Sequence, residues 1–279
     1  MKRDYKKPPV GPRFSRRALI IFTAVLAATS MGFGALFSVS ISPSAQGSEV
    51  TVQIDASGKS AVAAPGLGLD FSQCANGAPP STDTGCSQGW INGILNPNNS
   101  HHVEDQVVPQ RFVIDFPGNG GFGQNDHTIT FRYQARKGSA NSHAYDSLAT
   151  WNFTQVGLTA ANRCDGLSGA CPPASFLTGQ IPSDPQSVPP VEVGVPSDVT
   201  ANHMLAAANR LGVIFNGRIT AIDVPVHDAP LQVGTDDFAT VTVHYDLLAP
   251  IPQGGTRVII MLGGHLGAGV YDATTQPRC

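Results

Sequence analysis

The stretch from Val107 to Thr154 constrains the fold most. In Arg111–Phe116, Phe112, Ile114 and Phe116 alternate with Arg111, Val113 and Asp115. In His127–Tyr133, Ile129, Phe131 and Tyr133 alternate with Thr128, Thr130 and Arg132. Successive side chains of a strand point to opposite faces, so each run offers one apolar and one polar face. The intervening PGNGGFGQND is rich in glycine, which tolerates positive φ, and reads as a loop joining antiparallel strands.

The same pattern recurs along the chain. Thr240–Leu247 places Val241, Val243, Tyr245 and Leu247 inward against Thr240, Thr242, His244 and Asp246 outward. Arg257–Leu262 is almost continuously apolar, as in a central strand covered on both faces. Asn216-Gly217, between Val213–Phe215 and Arg218–Ile222, is the strongest two-residue hairpin signal. Glu49–Asp55 alternates Val50, Val52 and Ile54, and Trp90–Asn96 reads as a short strand or turn around a buried Trp. Pro65–Gly89 and Ala160–Pro196 read as loops. A single helix is expected over Asp198–Leu211, capped by Asp198, with Met204, Leu205, Ala208 and Leu211 on one face and Gly212 at its end. With charged residues at 13%, 30 Gly and 22 Pro, the expected class is all-β: an antiparallel β-sandwich, immunoglobulin-like or jelly-roll-like.

The N-terminus is of another kind. Residues 1–17 hold seven of the 17 Lys and Arg and one acid, Asp4, and Ala18 to Ile41 carries no charge over 24 residues. That length spans a bilayer, and the basic flank stays cytoplasmic. Ser15-Arg16-Arg17 before an apolar run loosely resembles a twin-arginine export signal, and Ala45-Gln46-Gly47 offers a cleavage site. The run is longer than an ordinary signal core, which favours a retained single-pass anchor. The expected order is a basic cytoplasmic segment at 1–17, a transmembrane or signal helix at 18–41, a spacer at 42–48 and an extracellular domain at 49–279. The protein then sits in the cell membrane with its C-terminal domain outside, or is secreted if the segment is cleaved.

Beyond Ser48 ten basic residues face 19 acidic ones, an excess of negative charge that excludes nucleic acid as a partner. All five cysteines lie in this part. Cys74 with Cys86, and Cys164 with Cys171, are close in sequence and sit in Gly/Pro/Ser-rich segments, so two local disulfides are expected in an oxidising compartment. Cys279 is left over. Asn98 and Asn152 match glycosylation sequons, a match that would usually mean nothing if the chain is bacterial.

The ordered motifs Trp90-x-x-Gly93-x-Leu95-Asn96, Val108-Pro109-x-Arg111, His127-Thr128-Ile129-Thr130, Lys137-Gly138, His143-Ala144-Tyr145-Asp146, Asn216-Gly217-x-Ile219-Thr220 and Gly263-Gly264-His265-Leu266 resemble a β-rich domain of uncharacterised bacterial secreted and cell-surface proteins. The resemblance runs from about Glu49 to the end and implies an envelope-attached extracellular module with no assigned activity. Leu262 stands where that group has a Trp. The chain ends 14 residues after His265, where the group continues, which implies a domain without its last element or a shortened chain.

Candidate chemistry is scattered. His143, Tyr145, Asp146 and His265 form either a hydrogen-bonded polar cluster that staples loops to a sheet edge or, through His143, Asp146 and His265, a zinc or manganese site. His101-His102 with Glu104-Asp105 is a second polar group. Calcium would use Glu104, Asp105, Asp126 or Asp236-Asp237, although no EF-hand spacing is present. Trp90, Trp151 and Tyr145 are candidate ligand-surface aromatics, each equally suited to a core. No Gly-x-Ser-x-Gly elbow occurs, and Gly118–Gly123 lacks the Lys-[Ser/Thr] ending of a phosphate loop. The reading is therefore a non-enzymatic structural or adhesive surface module without a cofactor. Its partners are the membrane, through the N-terminal helix, and cell-surface glycans or proteins. A carbohydrate- or calcium-binding module is the first alternative, and a metal-dependent hydrolase, with zinc, the second.

Overall fold

The structure is a computed structural model. It describes residues 38–42, 53–54, 60–61, 66–77, 85–92, 95–96, 98–103, 106–137, 142–143, 145–155, 157–184, 205–228 and 237–267, with the backbone alone at 38–42, 53–54, 60–61, 136–137 and 142–143. The strands are β1 (Ser38–Ser42), β2 (Gln53–Ile54), β3 (Ser60–Ala61), β4 (Gly68–Cys74), β5 (Trp90–Ile91), β6 (Val107–Phe116), β7 (His127–Lys137) and β8 (Ser142–His143). They continue as β9 (Tyr145–Ala149), β10 (Phe176–Gln180), β11 (Leu211–Phe215), β12 (Gly217–Ile222), β13 (Val226–His227), β14 (Asp237–Leu247) and β15 (Thr256–Leu266). One sheet runs β1-β7-β14-β12, with β13 also on β14 and β8 also on β7. A second runs β10-β11-β15-β6-β4-β5, with β9 also on β15, and β2 pairs with β3 alone. Every pairing is antiparallel. The expected all-β class stands.

The two large sheets share one core. Phe71, Phe112, Ile114, Val258, Ile260 and Leu262 of the second sheet cluster with Ile129, Phe131, Tyr133, Val241, Val243 and Tyr245 of the first. Phe112 lies at its centre, with ring centroids 5.0 Å from Phe71 and 5.1 Å from Phe131. β14 buries alternate residues from Asp237 to Tyr245, as its sequence predicts. β15 is central and covered on both faces, also as predicted: Ile259 and Met261 belong to a second apolar cluster on the outer face, with Val113, Val213 and Phe215.

Two expected pairings are overturned. Arg111–Phe116 and His127–Tyr133 are not ladder neighbours: β6 pairs with β15 and β4, while β7 pairs with β14, β1 and β8. The glycine-rich loop carries the chain from one sheet to the other, so the two apolar faces meet across the core instead of side by side. Gly118 permits this, since a Cβ there would lie 1.8 Å from the Gln253 carbonyl oxygen. The other face of β6 is also covered, with Arg111 and Val113 each 2% exposed.

Asn216-Gly217 is likewise a sheet crossing and not a hairpin turn. β11 pairs with β10 and β15, and β12 with β14. Asn216 takes φ 61°, a left-handed conformation that asparagine tolerates. Its side-chain amide donates to Thr256 Oγ1 at 2.8 Å and to the Arg257 carbonyl at 2.9 Å. A Cβ on Gly217 would sit 2.5 Å from Ile214 Cδ1. The corner is thus held to the strand beside it.

The remaining differences are local. Pro65–Gly89 contains β4, whose Leu69 and Phe71 alternate too briefly to stand out between glycines. The Ala160–Pro196 connection holds a 3-10 turn at Ala160–Cys164 and the edge strand β10. Of the expected helix, the described part forms only a 3-10 turn, Ala207–Asn209, and Leu211 already opens β11. Leu211 and Gly212 pair with Gln180 and Gly179 of β10, a contact distant in sequence that decides against a helix. The rest of that segment, most of the apolar N-terminal run, Glu49–Val52, Asp55 and Cys279 lie outside the described residues. The last residues of the apolar run, Ser38–Ile41, belong to β1, which pairs with β7 from Ser38↔Arg132 to Ser42↔Thr128. No helix among the described residues is long and apolar enough to cross a membrane.

Asn216→Ala keeps the left-handed strain and removes both amide bonds, whereas Asn216→Gly removes only the bonds. Urea unfolding should rank the proteins wild type, then Gly, then Ala, with Ala losing about 2 kcal/mol.

Candidate functional site

The Gly-Gly-His motif is built by packing. Gly263 and Gly264 lie on β15 where β6 and β9 flank it. A Cβ on Gly263 would fall 2.2 Å from Val107 Cγ1, and one on Gly264 would fall 2.5 Å from the Tyr145 ring. The glycines therefore let both neighbours close on the strand. The fully buried His265 follows, and its Nδ1 lies 2.7 Å from Asp146 Oδ1. Ser147 Oγ also donates to that oxygen, at 3.2 Å. Tyr145 donates to Gln73 Oε1 at 3.3 Å, and burial pushes its phenol pKa up. Three of the four residues expected to cluster, Tyr145, Asp146 and His265, thus meet at one end of β15. His143 lies on β8, opposite Arg136 in register, and its side chain is outside the described residues.

A second polar cluster is not grouped by any motif in the sequence. His227 Nδ1 lies 2.6 Å from Asp237 Oδ2, and its Nε2 lies 3.0 Å from both oxygens of Asp184. Tyr133 donates to Asp184 Oδ2 at 3.1 Å. Burial first, then the Asp184 charge and hydrogen bond, hold the Tyr133 phenol well above its usual range. Asp237, one of the candidate calcium oxygens, lies here against an imidazole. The residues come from distant points of the chain, so only the fold brings them together.

The outer face of the second sheet carries a cap. Both expected disulfides are present, Cys74–Cys86 and Cys164–Cys171. Two arginines of the sheet, Arg111 and Arg257, bind the cap to it, and a third, Arg163, ties the cap to itself. Arg111 donates from Nε to Ser72 Oγ at 3.1 Å, and from Nη1 to the carbonyls of Arg163 at 3.1 Å and Asp165 at 2.8 Å. Burial lowers its pKa to about 10, so it stays cationic at neutral pH. Arg257 grips Asp115 through two bonds, 2.6 and 2.9 Å, and also donates to the Ser168 and Ala170 carbonyls. Arg163 donates to the carbonyls of Pro172 and Ala160. Trp151 is 3% exposed, within the second apolar cluster. Trp90 is half-buried, its ring centroid 4.5 Å from the Arg111 Cζ. Both indoles serve the cap's packing.

The other candidates are spread out. His101 Nδ1 lies 2.8 Å from the Gly77 carbonyl, and His102 Nε2 lies 3.0 Å from the Cys74 carbonyl. Burial lowers the His102 pKa despite that bond. Asp126 is exposed in a left-handed turn, its backbone N–H donating to Asp246 Oδ1. Glu104, Asp105 and Asp236 lie outside the described residues. Among the described residues no three His, Cys, Asp or Glu side chains are placed to hold one metal ion. No family model, curated protein or solved structure matches the chain.

Gly264→Ala must displace the Tyr145 ring. Overpacking of this kind costs about 1–3 kcal/mol, measurable as a lower thermal midpoint, and Tyr145→Leu should partly restore it.

Proposed function

We propose that the chain is a non-enzymatic module of the bacterial cell surface, structural or adhesive, exported across the membrane and held to it by the N-terminal segment. The β-sandwich is immunoglobulin-like or jelly-roll-like. One observation carries this reading: wherever their contacts are described, the side chains that the sequence offers for a site are used to fasten the fold. His265 and Asp146 hold β9 to β15, the arginines hold the cap, and both tryptophans pack beneath it. The two disulfides, Cys74–Cys86 and Cys164–Cys171, suit an oxidising compartment. The proposed partners are cell-surface glycans or proteins; the acid excess beyond Ser48 argues against nucleic acid.

The test is elemental analysis of the dialysed full chain, followed by stability measurements on His265→Ala. The reading expects no stoichiometric zinc or manganese. It expects the substitution to cost about 1–3 kcal/mol, as for a buried polar group stripped of its partner. One equivalent of transition metal that survives dialysis and disappears in His265→Ala would establish the hydrolase reading in its place. Saturable signals on a glycan array, or calcium binding by calorimetry, would establish the binding module. Peptide mapping without reduction, on protein taken from the envelope, should find Cys74 joined to Cys86 and Cys164 to Cys171; free thiols there would overturn the exported location.

A further inference from the structure

We propose that His227 is a protonation-controlled latch tying the two sheets together at one end of the sandwich, closed while its imidazole carries both protons and released when one is lost. Both ring nitrogens face carboxylates: Nδ1 meets Asp237 at 2.6 Å and Nε2 meets Asp184 at 3.0 Å. An ionised carboxylate only accepts hydrogen bonds, and a neutral imidazole has one N–H. With both carboxylates ionised, both contacts are hydrogen bonds only when the ring is an imidazolium. A neutral ring would turn a lone pair toward one of the two carboxylates. Water cannot substitute easily, since the side chains of His227, Asp184 and Asp237 are 4, 2 and 1% exposed.

The latch joins separate parts of the fold. Asp184 follows β10, the edge strand of the second sheet, while His227 ends β13 and Asp237 opens β14 in the first. Among the described residues the other charged or titratable groups on the packed elements are few, and His143 of β8 lies opposite Arg136 in register. From β7, Tyr133 donates to Asp184, and Asp146 of β9 acts on Tyr133 through space. Arg136 is the register partner of Asp237, Lys137 follows it, and Asp228, next to His227, is paired with Arg132. Burial by itself lowers the His227 pKa; the hydrogen bonds and charges of Asp184 and then Asp237 outweigh it, and the net direction is upward from 6.5.

The sign follows from that direction. A group whose folded pKa exceeds its unfolded value contributes stability that is complete below the unfolded pKa and lost as pH rises through the folded one. The latch therefore releases on the alkaline side of 6.5. His102 and His127, lowered by burial, act on the acid side and do not overlap it.

The test uses the full chain, with nuclear magnetic resonance titration of the imidazoles and urea unfolding from about pH 5.5 to 9.5, a range that brackets ordinary histidine titration. His227 should titrate above 6.5. Between 6.5 and that point the wild-type folding constant should fall by up to about tenfold per pH unit, a component absent from His227→Asn. Asp184→Asn should move the His227 titration back toward its ordinary value. Amide exchange at 181–184 and 226–228, corrected for intrinsic base catalysis, should accelerate across the same window in the wild type. A His227 that titrates at or below 6.5 would overturn the latch, as would parallel stability profiles for wild type and His227→Asn, or exchange at those amides that ignores the window. If His227→Asn does not fold, the Asp184→Asn titration decides alone.

Discussion

Strand β15 is the constraint on which the rest of the fold depends. It pairs with β6 along one edge from Thr256 to His265, and with β11 and β9 along the other. Its faces are both buried, Val258, Ile260 and Leu262 against the first sheet and Ile259 and Met261 against the cap. A strand without a polar face cannot lie on the surface of a sandwich, because burying such side chains contributes about 1.5–3 kcal/mol each. The chain must therefore supply a second layer outside the sheet, and it does so from loops.

That requirement explains the buried arginines. A cap made of irregular backbone presents carbonyls that no ladder satisfies, and each costs free energy if left unpaired away from water. One guanidinium offers five donors in a fixed fork. Arg111, Arg163 and Arg257 bond carbonyls of Ala160, Arg163, Asp165, Ser168, Ala170 and Pro172. The Cys164–Cys171 bridge closes the same segment, which limits the disorder lost on ordering it. Arg111, whose alternation alone would place it in water, is instead 2% exposed because the cap lies over it.

Individual strands were legible in the sequence and their partners were not. Alternation marked β14 and the core face of β7, and a continuous apolar run marked the doubly covered β15, since burial pattern is a local property. Pairing is not local: the loop after Phe116 and the Asn216-Gly217 corner carry the residues of a turn, and nothing in them tells a hairpin from a crossing between sheets. β4 escaped because Gly68 and the polar Ser72 and Gln73 blur its alternation, and its support comes from β6, far along the chain. The disulfides were readable because their partners lie 12 and 7 residues apart. His265 and Asp146 were flagged by their motifs, whereas Asp184 and His227, 43 residues apart, stand in no motif at all.

The two buried histidine clusters differ in what they permit. A metal takes a lone pair from an imidazole nitrogen, and the other nitrogen often donates to a carboxylate that orients the ring. His265 bonded to Asp146 has the form of such an oriented ring, so its chemistry is decided by what its other nitrogen meets. His227 stands between two carboxylates on opposite sides of the ring. While both of its nitrogens donate, it has no lone pair to offer, and it can act only as a cation. Its charge offsets two buried carboxylates that would otherwise repel each other in a medium where charges are poorly screened. The fold therefore holds His227 for its charge, which the surrounding pH can change.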